Sequence, residues 1–264
     1  MFETVFDYPL YIVGPGILGV LCIFAAAGLM AVRRSLLPRL RIGTEDSEFT
    51  GAMAQGVMVF YGLAVALIAV NVFQDYSDTS KIVSEEATSL AAIYRDVSGY
   101  PEPVRGQMQK ELREYTAQII NEAWPLQQKG EVPTAGVAYM DRLQAILFGY
   151  EPTSEGQKIL HAETLGAYNR MVHARRMRLD SLKTGLPVVM WTTILIGGLI
   201  SLTACFFFKV DDTRLHVVML VLLSMFIGLV IFMTLALDRP YRGDLGLGSE
   251  PYKLIYEQLM RPGQ

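Results

Sequence analysis

Residues 49–97 read FTGAMAQGVMVFYGLAVALIAVNVFQDYSDTSKIVSEEATSLAAIYRDV. The first 25 of them, residues 49–73, contain no charged side chain. A hydrocarbon core about 30 Å thick needs about 20 apolar residues at 1.5 Å rise each, so this run predicts a membrane span. A buried helix of a water-soluble domain rarely stays uncharged for more than about 14 residues. After Gln74 charges appear, yet Val83, Ala87, Leu90, Tyr94 and Val97 keep helical spacing. The span is therefore expected to run straight on as a helix outside the membrane. It should stop at Gly99-Tyr100-Pro101, because glycine and proline both end helices.

At about 100° per residue, Asp75, Asp78, Glu85, Glu86 and Asp96 all fall within about 60° of Asn71. The apolar set lies beside them, between about 80° and 160°. In a monomer such an acidic stripe is a solvated face. Around the axis of an oligomer each position becomes a ring, and acidic rings concentrate cations at a pore mouth. The pore and entrance candidates are Gln55 and Asn71, the amides of the span, followed by Asp75, Asp78, Glu85 and Glu86. The span is also rich in small residues, and Ala52/Gly56 and Gly62/Ala66 keep the spacing that lets helices approach closely. Ordinary helix packing accounts for those residues equally well. No twelve-residue calcium loop accompanies the carboxylates, so no metal is expected.

Three further runs lack charge, residues 10–32, 186–208 and 215–237, which makes 94 such residues in all. They explain why a chain of 264 residues is 52% hydrophobic and only 19% charged. That composition excludes disorder and a disulfide mini-protein, and a net charge of −3 removes the basic footprint of a nucleic-acid binder. Cys22 and Cys205 lie inside apolar runs and read as small hydrophobes. The first nine residues carry Glu3 and Asp7 without Lys or Arg, unlike a secretory leader, so the first run reads as a permanent span. The fold expected is an all-α membrane protein. Its four transmembrane helices form two hairpins, residues 1–73 and 186–237, with a helical extramembrane domain, 74–185, between them and an interfacial tail, 238–264.

The turns of the hairpins are 33–48 and 209–214, and an even number of spans puts both termini on the side of the polar domain. Lys and Arg near the span ends number nine on that side and six in the hairpin turns, which favours a cytoplasmic domain under the positive-inside rule. The first span, with acids before it and Arg33 and Arg34 after it, favours the reverse. Within the domain, helices are expected over 103–124, ending before Pro125, over 134–148, and from an N-cap at Ser154 onward to 185–187. Residues 74–163 hold 14 acids against 8 bases, whereas 164–185 hold 5 bases and 1 acid. Arg170, Arg175, Arg176, Arg178 and Lys183 thus meet the membrane on the same side as the acidic stripe. Ion pairs between helices, anionic lipid headgroups and an anion-attracting vestibule are all consistent with that cluster.

The spans contain essentially no ionisable side chain, which argues against a proton-driven carrier and leaves a channel open. No Walker loop, GxSxG, HExxH or CxxC motif occurs. His161, His173 and His216 are not spaced as metal ligands, and the first two read as a solvated surface. Neither enzyme chemistry nor a cofactor is expected.

The segments Glu85-Glu86-Ala87, Tyr94-Arg95, Tyr115 and Glu122-Ala123-Trp124-Pro125 occur in that order. Ala174-Arg175-Arg176-Met177-Arg178-Leu179, Leu186-Pro187, Trp191 and finally 237–243, LDRPYRG, follow them. Together they resemble the bacterial bestrophin-like (DUF4239) family of membrane proteins. The resemblance implies a relationship to bestrophins, pentameric ion channels with a cytosolic helical part. It implies a multi-pass protein of the bacterial inner membrane, with lipid, ions and further copies of itself as partners and no nucleic acid. It carries no ion selectivity, since no bestrophin pore sequence is present residue for residue. Glu86 and Arg95, nine apart, should face opposite sides of one helix and need separate partners. Arg95 joins Arg170, Arg175, Arg176 and Arg178 as a candidate for an inter-helix ion pair or a lipid headgroup. Glu85, Glu86, Arg175 and Arg176 are expected to pair between helices, and Asp238-Arg239-Pro240 to end the fourth span. An oligomeric, cation-preferring channel is the first expectation. The alternative is a non-conducting scaffold or sensor whose helical domain binds a partner.

Overall fold

The computed structural model describes residues 8–40, 44–208 and 210–261. Glu3, Asp7, Arg41 and Lys209, which bear on orientation, lie outside those residues. The helices follow as α1 (Leu10–Ser35), α2 (Leu37–Leu40), α3 (Thr44–Val97), α4 (Val104–Gln118), α5 (Trp124–Gln128), α6 (Gly136–Phe148), α7 (Glu155–Ser181), α8 (Val188–Cys205), α9 (Thr213–Leu237) and α10 (Glu250–Leu259). No strand occurs among the described residues. Four helices, α1, α3, α8 and α9, are long and apolar enough to cross a membrane. The protein is an all-α membrane protein with four transmembrane helices. The chain divides into two compact units, one made of residues 1–74 and 185–238, the other of 75–184 and 239–264.

The first unit holds the spans. Ala25, Leu29, Val65, Ile68, Ile194, Leu202 and Ile227 form its interior. Large apolar side chains also cover its outside, Phe60 at 76% exposure and Val189 at 75% among them. So wide an apolar exterior suits hydrocarbon rather than water. Lipid is as apolar as leucine, so close packing must hold the helices together, and glycines permit it. Tyr61 lies against Gly197 and Gly198 and donates its hydroxyl to the Ile194 carbonyl at 3.1 Å. Asp238 is the C-cap of α9, and its carboxylate accepts from the Leu186 amide at 2.6 Å and from Trp191 Nε1 at 3.4 Å. It thereby ties the end of α9 to the start of α8. A Cβ on Gly28 would lie 2.6 Å from two carbons of the Phe206 ring. Gly28→Ala is therefore expected to destabilise the unit by about 1–3 kcal/mol through overpacking. Thermal unfolding in detergent checks this, and an unchanged midpoint contradicts the close approach.

The second unit packs the outer part of α3 with α4, α6, α7 and α10 around Leu90, Met108, Leu112, Tyr115, Leu143, Met171 and Tyr252. α3 continues to Val97 and gives way at Ser98 and Gly99, whose amides bond back to Arg95 and Asp96. α7 begins with a capping box, in which Ser154 accepts from the Gln157 amide and the Gln157 side chain accepts from Ser154 N. It ends at Ser181, before Gly185. The helix expected to stop ahead of Pro125 does not stop. It widens into a π-helical turn, Ile119–Ala123, and resumes as α5 with Pro125 in its first turn, where a missing N–H costs little. The segment after the fourth span, read from the sequence as an interfacial tail, packs into this unit. Trp124 Nε1 donates to the Leu247 carbonyl at 3.1 Å and Tyr76 donates to that of Leu245 at 3.0 Å.

His161 is not simply solvated. It is half-buried, with its Nδ1 2.8 Å from the Tyr100 hydroxyl and its ring edge-on to Tyr150. Burial holds its pKa below the ordinary value. The folded value then lies under the unfolded value of about 6.5. The stability contributed is complete above the unfolded value and is lost as pH falls through the folded one. The unfolding midpoint of the native protein should drop on mild acidification, and His161→Phe should flatten that slope. Parallel curves for the two proteins would contradict the assignment.

Candidate functional site

Two groups of side chains on α3 stand out, one exposed and one buried. Asn71, Asp75, Asp78 and Glu85 are all exposed. None has a partner from another helix among the described residues. Asp78 instead pairs with Lys81 of its own helix at 2.7 Å, both side chains being largely exposed. Such a pair adds little to stability, but it offsets part of the negative charge. Gln55 is exposed as well, yet it lies about 160° around the helix from Asn71 at 100° per residue. The two amides therefore do not share a line. Asp96 is half-buried, its pKa raised by burial first and then by Glu163, against the lowering effect of Arg170.

Glu86 goes the other way. It has no exposed surface and lies at the centre of the second unit. Its partner is Arg178 of α7, with Nε 2.5 Å from Oε2 and Nη2 3.1 Å from Oε1. Two phenols complete the carboxylate's shell. Tyr115 donates to Oε1 at 2.9 Å and Tyr252 to Oε2 at 3.1 Å. Glu86 thus accepts four hydrogen bonds from α3's neighbours α4, α7 and α10. The Arg178 guanidinium carbon lies 5.9 Å from the ring centres of both Trp124 and Tyr252, a favourable placement for a cation.

Burial alone would pull the Arg178 pKa down, but the facing Glu86 charge prevails and holds it well above its ordinary value. Burial, and then the same carboxylate, push the Tyr115 and Tyr252 phenols far up. The phenols therefore stay protonated and able to donate. Ser181 and Tyr241 hydroxyls meet at 2.9 Å nearby, and Tyr241 also donates to the Arg178 carbonyl at 3.4 Å.

Of the basic residues expected to pair between helices, Arg178 alone joins an ion pair among the described residues. Arg178, rather than Arg175 or Arg176, neutralises Glu86, and neither Glu85, Arg175 nor Arg176 joins an ion pair among the described residues. Arg175 is half-buried, its guanidinium against Gly136 at the start of α6. Arg176 and Arg170 are exposed. So is Arg95, on the opposite side of α3 from Glu86. Two signals for the buried pair were present in the sequence. Glu86 is the acid closest in angle to the apolar stripe. Arg178 follows Ala167, Met171 and Ala174 at helical spacing on the buried face of α7. Tyr252 shares helical spacing with Ile255, Tyr256 and Leu259, which signals a buried face but not the carboxylate it meets. No group of three His, Cys, Asp or Glu side chains placed to hold a metal occurs among the described residues.

Four uncharged spans with a helical unit built about one buried ion pair define a multi-pass helical membrane protein. The family profile described as a Bestrophin-like domain matches residues 20–252, and the chain belongs to the bestrophin-like family. A mutant bacterial bestrophin homologue from Klebsiella pneumoniae is similar in fold, with a TM-score of 0.62 and 11% identity over 95% of this chain and 99% of its own. A second crystal structure, of a membrane protein, gives 0.61 and 10% identity over 94% and 97% of the two chains. At such identity the likeness is one of fold. Comparison with curated proteins gives no match.

Proposed function

We propose that the protein is an oligomeric ion channel, with α3 of each copy lining an axial pore and a preference for cations. The observation that carries this reading is the exposed stripe of Asn71, Asp75, Asp78 and Glu85 along one side of α3. Repeated about an axis, it forms successive negative rings where the helix leaves the hydrocarbon. Glu86 is left out because its charge is already neutralised, and Gln55 because it faces elsewhere. Kinship with bestrophins supports a pentamer in the bacterial inner membrane, with the helical unit and both termini in the cytoplasm.

The test is passive flux into liposomes carrying the purified oligomer. Cation-preferring flux is expected, and none at all from a verified oligomer contradicts a channel. The second reading, a scaffold or sensor, is favoured by a groove of about 390 Å³ between α3 and α10. Arg95 stands among its small and aliphatic walls, Ala87, Ala91, Leu254 and Ile255. On that reading the oligomer passes no ions.

A further inference from the structure

Near its start α1 reads Gly14-Pro15-Gly16, and its two glycines act oppositely. A Cβ on Gly14 would lie 3.2 Å from the Phe232 ring, so this glycine lets α1 close on α9. A Cβ on Gly16 would meet nothing within 4 Å. Beside Gly16 the unit opens into a cleft of about 370 Å³. Its walls include Val13, Gly16 and Val20 of α1, Trp191 and Leu195 of α8, and Ile231 of α9, and every lining residue is apolar. The one polar side-chain atom among them, Trp191 Nε1, already donates to Asp238. A polar ligand would lose its hydrogen bonds to water there and gain none.

We propose that this cleft binds one acyl chain of a bilayer lipid. The wall formed by residues 13–21 is about 12 Å long at 1.5 Å per residue, close to the depth of one leaflet of a core about 30 Å thick. At about 30 Å³ per water-sized group, the volume holds about a dozen methylenes. Acyl chains are the surrounding medium at this depth, so they fill the cleft without a matching ridge on another protein. Packing provides the binding, because an empty cleft forfeits dispersion contacts along both walls.

The test uses the full chain in phosphatidylcholine vesicles containing a minor fraction of lipid with a diazirine at mid-chain. After irradiation, labelled residues are mapped by mass spectrometry. Labels should accumulate on Val20 several-fold above Ile23 and Phe226, which at 69% and 65% exposure are as open as Val20 at 67%. Gly16→Leu fills the cleft and improves helix propensity. It should abolish the excess while leaving Phe226 labelled as before. Equal labelling of cleft and controls overturns the proposal. Absence of label from the cleft, with disulfide capture between copies bearing Val20→Cys, also overturns it and assigns the face to a second copy.

Discussion

Glu86→Ala is expected to remove about 3–5 kcal/mol of folding stability, the usual consequence of leaving one member of a buried pair without the other. Arg178 is 2% exposed, so its charge cannot reach water once the carboxylate is gone. Tyr115 and Tyr252 lose their acceptor in the same step. Since whole domains are stable by about 5–15 kcal/mol, much of the helical unit's margin should vanish. Glu86→Leu combined with Arg178→Met should recover a large share, because it removes both charges together. Unfolding in detergent, followed by loss of helicity, measures this. If the single variant melts with the native protein, the pair does not hold the unit together.

The second large effect concerns conduction. Neutralising both membrane-proximal carboxylates with Asp75→Asn and Asp78→Asn removes two negative rings per oligomer and frees Lys81 from its partner. Charged vestibules raise the local concentration of counter-ions by about tenfold or more. Cation flux at low ionic strength should fall by about that factor, with a smaller fall at high salt as screening shortens the reach of each ring. Equal flux from native and doubly substituted protein would reject the acidic mouth. The substitutions should leave folding intact, because both side chains are exposed.

These two expectations rest on residues of very different legibility. The four spans could be read because uncharged runs beyond about 20 residues are rare outside membranes. Continuation of the second span to Val97 could be read because the apolar period never breaks before Gly99. Pro125 misled, since a local rule against proline in helices does not anticipate a π-helical turn that places it at the start of the next segment. Glu86 and Glu85 are adjacent, yet one is fully buried and the other exposed. Only the position of α7, whose Arg178 lies 92 residues further along the chain than Glu86, separates their roles. Tyr252, Ile255, Tyr256 and Leu259 keep helical spacing and so mark a buried face, but that period does not disclose that the helix folds back to bring Tyr252 onto Glu86.

The most direct test of the channel reading is an image of the purified particle viewed down its symmetry axis. The expected image is a ring of copies with the α3 helices innermost and an open path between them. A monomer, or a dimer without a central passage, contradicts it.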